Sequence, residues 1–144
     1  MRMFSGMRVS ASGLEAERTR MHIISNNIAN VNSPGIEGEE PYQAQRLVTA
    51  PAAPRFGDYL AGFRRLFPEG GVEVLGVREV NNPARRVFEP GHPDADENGY
   101  VLYPDINIID EMVDSIRAYR SYEANLTAFN ETKRMFNKAM EIGR

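Results

Sequence analysis

Between Phe4 and Ile28 apolar side chains recur in alternating steps of three and four, through Phe4, Met7, Ala11, Leu14, Arg18, Met21, Ser25 and Ile28. Six of these eight positions are apolar, the heptad spacing of a helix that buries a narrow stripe against another helix. The pattern predicts a helix from about Phe4 to Val31, roughly 40 Å long at about 1.5 Å per residue. It must end before Pro34, which disfavours helix in Ser33.

A second periodic run passes through Ile109, Met112, Ile116, Tyr119, Tyr122, Leu126, Phe129, Lys133, Phe136 and Met140, nine of the ten apolar. Asp105 or Asn107 is placed to cap its start. Asp110, Glu111 and Asp114 suit the positive end of the helix dipole, and Lys133, Arg134 and Lys138 the negative end. The step from Tyr119 to Tyr122 to Leu126 breaks the strict heptad, which argues for local coiled-coil packing over a long regular supercoil.

Between these runs Pro, Gly and alternating residues take over. Val72 to Val80 reads as a strand, and Arg85 to Glu89 and Tyr100 to Tyr103 as shorter ones. Asn81, Asn82 and Pro83 are expected to turn the first of these into the second as a small antiparallel hairpin. Tyr42 to Thr49 is a further candidate strand. Asp58 could cap a short helix carrying Tyr59, Leu60, Phe63, Leu66 and Phe67 and stopped by Pro68. The fold class is therefore α+β, mainly α: long terminal helices packed together like a coiled coil (1–34 and 105–144, forming one core) around a small β-rich insert (35–104). Both terminal stripes carry more apolar surface than so small an insert can cover, so they are expected to pair with each other and with neighbouring copies.

Composition narrows the function. At 144 residues, with 42% hydrophobic and 26% charged side chains, the chain fits one folding unit plus projecting helices and not wholesale disorder. Its 17 basic residues are scattered among 20 acidic ones for a net charge of -3, which leaves no single-sign field to hold a nucleic acid. There is no cysteine and no tryptophan. No apolar run approaches the roughly 20 residues of a membrane span, and Met1 to Gly13 lacks the apolar core of a secretory signal.

Two stretches go beyond periodicity. Ala11-Ser12-Gly13-Leu14-Glu15-Ala16, followed by Asn26-Asn27-Ile28-Ala29-Asn30-Val31-Asn32 and Gly35, resembles the N-terminal signature shared by flagellar rod, hook and hook-associated proteins. Pro90-Gly91-His92-Pro93-Asp94-Ala95-Asp96-Glu97-Asn98-Gly99-Tyr100-Val101 is similar to a loop that sets one proximal-rod branch of that family apart. Glu111-Met112-Val113, Arg120-Ser121-Tyr122-Glu123-Ala124-Asn125 and Lys133 are similar to that branch's final helix. At Ser33-Pro34-Gly35-Ile36 the sequence departs from the family's usual Thr, variable residue, Gly and aromatic.

The resemblance implies a structural subunit that assembles with copies of itself and with other proximal and distal rod proteins into a hollow tube. That tube would transmit torque and pass exported subunits. It also implies contact with the export gate and the junction protein of the basal body. Export would run through the flagellar type III apparatus without a cleaved signal, to a periplasmic rod. The residues expected at subunit contacts are Phe4, Met7, Leu14, Met21 and Ile28 on the first helix, and Met112, Ile116, Tyr119, Tyr122, Asn125, Leu126, Phe129 and Phe136 on the last. Asn26, Asn27, Asn30 and Asn32, four weak helix formers within seven residues, are read as polar contacts between subunits, with helix-end capping and fraying as the alternative.

The chemistry of sites adds little. Asp94, Asp96, Asn98 and, at the twelfth position, Asp105 match the ligand spacing of a calcium loop, so a secreted calcium-stabilised binding module is the alternative function. Pro90-Gly91-His92-Pro93 cannot supply the entering helix such a site needs, which favours a tight polar turn. His22 and His92 lack the nucleophile or carboxylate company of catalysis, and no phosphate loop, nucleophile elbow or zinc signature occurs. The sequence thus points to no enzyme, no cofactor, no metal and no small-molecule substrate.

Overall fold

The computed structural model describes residues 2–35, 40–52 and 70–142. Its elements run α1 (Arg2–Ala29), β1 (Ala44–Pro51), β2 (Val72–Val80), β3 (Arg85–Phe88), β4 (Tyr100–Tyr103) and α2 (Ile108–Ile142). Two long terminal helices with a small antiparallel β insert between them are thus what the chain forms. The short helix expected after Asp58 lies outside the described residues. No helix among the described residues is long and apolar enough to cross a membrane.

The ends of both helices follow from local chemistry. Asn107 caps α2 as expected: its Oδ1 accepts the Ile109 N–H at 3.0 Å and its carbonyl accepts the Glu111 N–H. Helix α1 closes on its asparagines. The Asn30 side chain donates to the Asn26 carbonyl at 2.8 Å, and the Asn30 and Ser33 N–H groups bond back to Asn26 and Asn30.

One strand pairing differs from expectation. The segment after Val80 does not fold β2 back on β3; β2 pairs with β1, and β3 with β4. The Asn82 N–H closes a three-residue turn on the Val80 carbonyl, and Pro83 has no N–H with which to start a ladder. Strand β3 instead finds β4 across the polar loop, in antiparallel register with Arg85 opposite Tyr103 and Phe88 opposite Tyr100.

The chain divides into two compact units, each taking part of both helices and part of the insert. One comprises Met1–Thr19, Val48–Gly76 and Ala118–Arg144. Within it Phe4 meets Phe136 with ring centroids 5.4 Å apart, Gly6 faces Thr132 and Gly13 faces Asn125. Rising numbers on α1 therefore meet falling numbers on α2, an antiparallel pairing. Among the described residues its buried side chains are small: Ser10, Ala16 and Ala118. The Ser12 hydroxyl accepts the Val72 N–H at 3.1 Å and so ties the start of β2 to α1.

The other unit comprises Arg20–Leu47 and Val77–Arg117. Its interior holds Ile23, Ile24, Ala44 and Val101 together with two buried polar side chains, Asn27 and Glu111. The Gly35 N–H bonds to the Leu102 carbonyl at 2.9 Å and docks the segment after α1 on β4.

The inward faces of the helices are not the most apolar ones. On α1 the buried positions are Ser10, Gly13, Ala16, Ile23, Ile24 and Asn27, so the covered stripe lies one residue ahead of the Phe4-to-Ile28 seam read from the sequence. On α2 the covered positions are Glu111, Asp114, Ser115, Ala118, Tyr122, Asn125, Phe129, Thr132 and Phe136. That stripe shares only Tyr122, Phe129 and Phe136 with the predicted one. The physical reason is close approach. A Cβ built on Gly13 would lie 2.8 Å from the Asn125 amide, so the helices meet where side chains are small.

Gly13→Leu is expected to cost about 1–3 kcal/mol through overpacking. Gly13→Ala should stabilise, by up to about 1 kcal/mol of helix propensity, only once Asn125→Ala removes the clash. Urea denaturation of the two single variants and the double variant measures this, and additive effects would contradict the contact.

Candidate assembly surface and the polar latch behind it

The most constrained group in the molecule is the side-chain amide of Asn27, which is 0% exposed. Its Nδ2 donates to the Gln45 carbonyl at 3.0 Å and to Glu111 Oε2 at 3.1 Å. Its Oδ1 accepts the Tyr42 hydroxyl at 2.9 Å and the Gln45 N–H at 3.0 Å. The amide thus copies a neighbouring peptide, taking both the N–H and the C=O of one residue at the start of β1. A carboxylate could not do this, because it has no N–H to give.

Glu111, 2% exposed, is held from both sides. Its Oε1 meets Arg46 Nη2 at 2.8 Å, and Arg46 Nη1 continues to Asp114 Oδ2 at 3.1 Å. Arg117 reaches the other oxygen of Asp114 at 3.2 Å. Burial, with Glu111 and then Glu79 nearby, pushes the Tyr42 hydroxyl above its ordinary value and keeps it a donor. This network saturates Asn27 within the chain and leaves it no polar atom for a neighbouring subunit. The recess beside it, about 320 Å³, is lined by Arg20, Ile23, Ile24, Arg46, Asp114 and Arg117 among others.

The other asparagines divide. Asn30 bonds back to the Asn26 carbonyl at the end of α1 and accepts the Ser33 hydroxyl. Asn26 and Asn32 stand exposed. Of the other residues expected at subunit contacts, Met7, Leu14, Met21, Ile28, Tyr122, Asn125, Phe129 and Phe136 are half-buried, and Phe4, Met112, Ile116, Tyr119 and Leu126 are exposed.

The exposed set has a shape. Ile109 is 71% exposed, Met112 55% and Ile116 56%, and Val113 and Tyr119 lie beside them. At about 3.6 residues per turn Ile109, Val113 and Ile116 fall on the side of α2 opposite Glu111 and Ala118, with Met112 and Tyr119 on the flank of that side. Helix α2 therefore has an inner face satisfied by polar and small groups and an outer apolar face left open.

The loop between β3 and β4 is a tight turn built on Asp96. Its Oδ1 accepts the Asn98 and Tyr100 N–H groups, both at 2.8 Å, and its Oδ2 meets Arg86 at 3.3 Å. Gly99 sits at φ +77°, where a Cβ would strike Phe88 and Pro90. His92 Nδ1 accepts the Asp94 N–H at 3.1 Å. Asp105, the twelfth position of the proposed calcium loop, lies beyond β4, and no group of three metal-binding side chains occurs among the described residues. The sequence also names Gly91, Pro93 and Asn98 in this loop; the first two are exposed, and Asn98 supplies one of the N–H groups.

Comparison with known proteins agrees with this architecture. A family model described as "Flagella basal body rod protein" matches residues 7–35, and one described as "Flagellar basal body rod FlgEFG protein C-terminal" matches residues 97–142. The chain is 39% identical to the flagellar basal-body rod protein FlgC of Borreliella burgdorferi over 99% of this chain and 98% of that one. The chain belongs to the FlgC family of flagellar basal-body rod proteins. The FlgC of Bacillus subtilis is 37% identical with both chains fully covered, and that of Aquifex aeolicus 39% over 98% of this chain and 97% of its own. The signature match at 7–35 includes Asn27, and the match at 97–142 includes Glu111, so the two ends of the latch lie in the two recognised segments of this FlgC-family chain.

Sequence reasoning placed Tyr42, Gln45 and Arg46 in a candidate strand without a site role, and Glu111 as a dipole partner and a residue of the family resemblance. Nothing in their local patterns distinguishes them from surface polar residues.

Asn27→Ala should strand several buried polar partners and lower unfolding stability by about 2–4 kcal/mol. Asn27→Asp should do so more strongly at neutral pH, because it sets a second carboxylate against Glu111, and less in acid. Chemical denaturation at two pH values checks both.

Asp96 gives a second pH dependence. The Tyr100 N–H above all, with the Asn98 N–H and Arg86, holds its carboxyl below the usual carboxylate range. A group lowered in the folded state stabilises above its unfolded value of about 3.9 and loses that contribution as pH falls through its own lower value. Protection of the Asn98 and Tyr100 amides against exchange, relative to the unfolded rate at each pH, should therefore fall as pH drops through that lowered value, and Asp96→Ala should remove that acid step.

Proposed function

We propose that this chain is a structural, non-catalytic subunit of the flagellar basal-body rod that is completed by its neighbours. The observation that carries the reading is helix α2, apolar on its outer face while its inner face is already covered by the chain's own groups. A helix whose inner face is already filled and whose outer face is apolar and open belongs against a further body. Fully burying each large apolar side chain is worth about 1.5–3 kcal/mol, so covering Ile109, Met112 and Ile116 alone supplies several kcal/mol per contact.

Contacts of this kind must join different surfaces of successive copies, because heterologous repetition extends into a helical tube whereas a two-fold contact closes as a dimer. In this reading the tube is hollow and belongs to the proximal rod in the periplasm. It joins copies of this chain to other rod subunits and contacts the export gate and the junction protein of the basal body. The chain reaches it through the flagellar type III apparatus. The relatives' names and the match to the rod signature support the assignment.

Met112→Glu combined with Ile116→Glu should leave the isolated chain's stability within about 0.5 kcal/mol, as exposed substitutions do. In a host lacking its own copy of the gene, that variant should yield no rod beyond the inner-membrane ring in electron micrographs of basal bodies. Normal rods would overturn the assignment of this face.

A further inference from the structure

The hairpin β3–β4 carries a second open surface in the same unit as the start of α2. Phe88 and Tyr100, opposite one another in the ladder, meet edge to face with centroids 5.3 Å apart, and Arg86 lies over the Tyr100 ring at 5.4 Å. Phe88 is 61% exposed although it is among the largest apolar side chains in the insert. The cluster is fixed before any partner arrives: Gly99 leaves the space into which the Phe88 ring fits, and Asp96 holds both the turn and Arg86. Aromatic residues and arginine, rigidly held, are the composition of energetic centres in interfaces.

The chemistry of the opposite partner is present on the same chain. At the start of α2 the exposed Ile109 and Met112 stand next to Asp105 and Asp110. These two acids line a recess of about 240 Å³ with Asn82, Asn107 and Glu111, and with Arg46, whose guanidinium is already paired with Glu111 and Asp114; Asp105 and Asp110 make no ion pair among the described residues. Farther along the helix come Arg117 and Arg120, which would repel Arg86, so charge selects the N-terminal end of the outer face. One surface is aromatic and basic, the other aliphatic and acidic.

We propose that the outer face of the β3–β4 hairpin of one copy docks on the N-terminal outer face of α2 in the next copy. Phe88 and Tyr100 cover Ile109 and Met112, and Arg86 faces Asp110. The contact is head-to-tail, joins two different patches, and gives the repeat its direction. It rests on the rod-subunit reading and names which surfaces meet.

The absence of cysteine makes the test clean. Chains carrying both Phe88→Cys and Met112→Cys, expressed in the gene-deleted host and treated in purified basal bodies with a short bismaleimide, should give a ladder of linked copies. Either single variant should give none. Rods of normal yield without a ladder would overturn this docking and leave the rod reading intact, and dimers from Phe88→Cys alone would show a two-fold contact instead. Charge reversal provides an independent arm: Arg86→Glu should lower rod yield about ten-fold or more, the equivalent of one lost charge contact. Asp110→Arg in the same chain should restore it. Should the double-cysteine chain fail to enter rods, this arm decides, and failure of Asp110→Arg to restore assembly would overturn the proposal.

Discussion

A primary amide offers two N–H donors and one oxygen with two lone pairs, and burying it is tolerable only where all of them are used. At Asn27 all of them are, and by two different segments: Tyr42 and Gln45 around the start of β1, and Glu111 on α2. The position of each segment is fixed by the other. Moving α2 by one turn would replace Glu111 at this point with a residue three or four positions away, either Ile108 or Ser115, and leave the amide N–H unpaired in the interior. That error costs about 1–3 kcal/mol, comparable to losing a core methyl cluster, so the network sets register even though a buried ion pair such as Arg46–Glu111 adds little net stability.

The two helical faces divide labour. Many of the contacts inside each unit are small or polar: Gly13 on Asn125, Ala16 and Ala118 in one, Asn27 on Glu111 in the other. Such contacts permit close approach and demand one register, but they bury little apolar area. Outside, Ile109, Met112 and Ile116 offer area without directionality, since hydrophobic burial scales with surface and not with orientation. In the rod proposed above, such a subunit draws specificity from its interior and driving force from its neighbours.

This division explains what the sequence discloses. Elements were legible because they depend on short-range chemistry: the Asn107 cap, the Pro34 limit to α1, and alternation in Val72 to Val80. The strands flanking Asn81 to Pro83 were misjoined because a turn signal does not say which partner an edge will accept, and β3 found its partner across the Asp96 turn. The helix faces were misread for a deeper reason. Periodicity finds the most apolar stripe, and here that stripe faces outward on the first half of α2. Gly13, Ser115 and Glu111 look like interruptions in a hydrophobic pattern, yet they form the seam. The family signature around Asn27 pointed to an importance that the spacing alone could not assign to an interior bond.

The hairpin shows how the chain meets the opposite demand, a surface that must be ordered before it is covered. Ordering side chains at an interface costs about 0.5–1.5 kcal/mol for each one immobilised, and a loop that folds only on contact costs more. Asp96 removes much of that cost in advance. Its carboxylate closes the turn through two N–H groups and anchors Arg86, while the positive φ of Gly99 leaves room for the Phe88 ring. The acidic residues of this loop, which resemble metal ligands in the sequence, therefore serve as backbone acceptors. The same carboxylate that gives the turn its shape leaves the exposed ring of Phe88 in one position, where another subunit can use it without ordering it first.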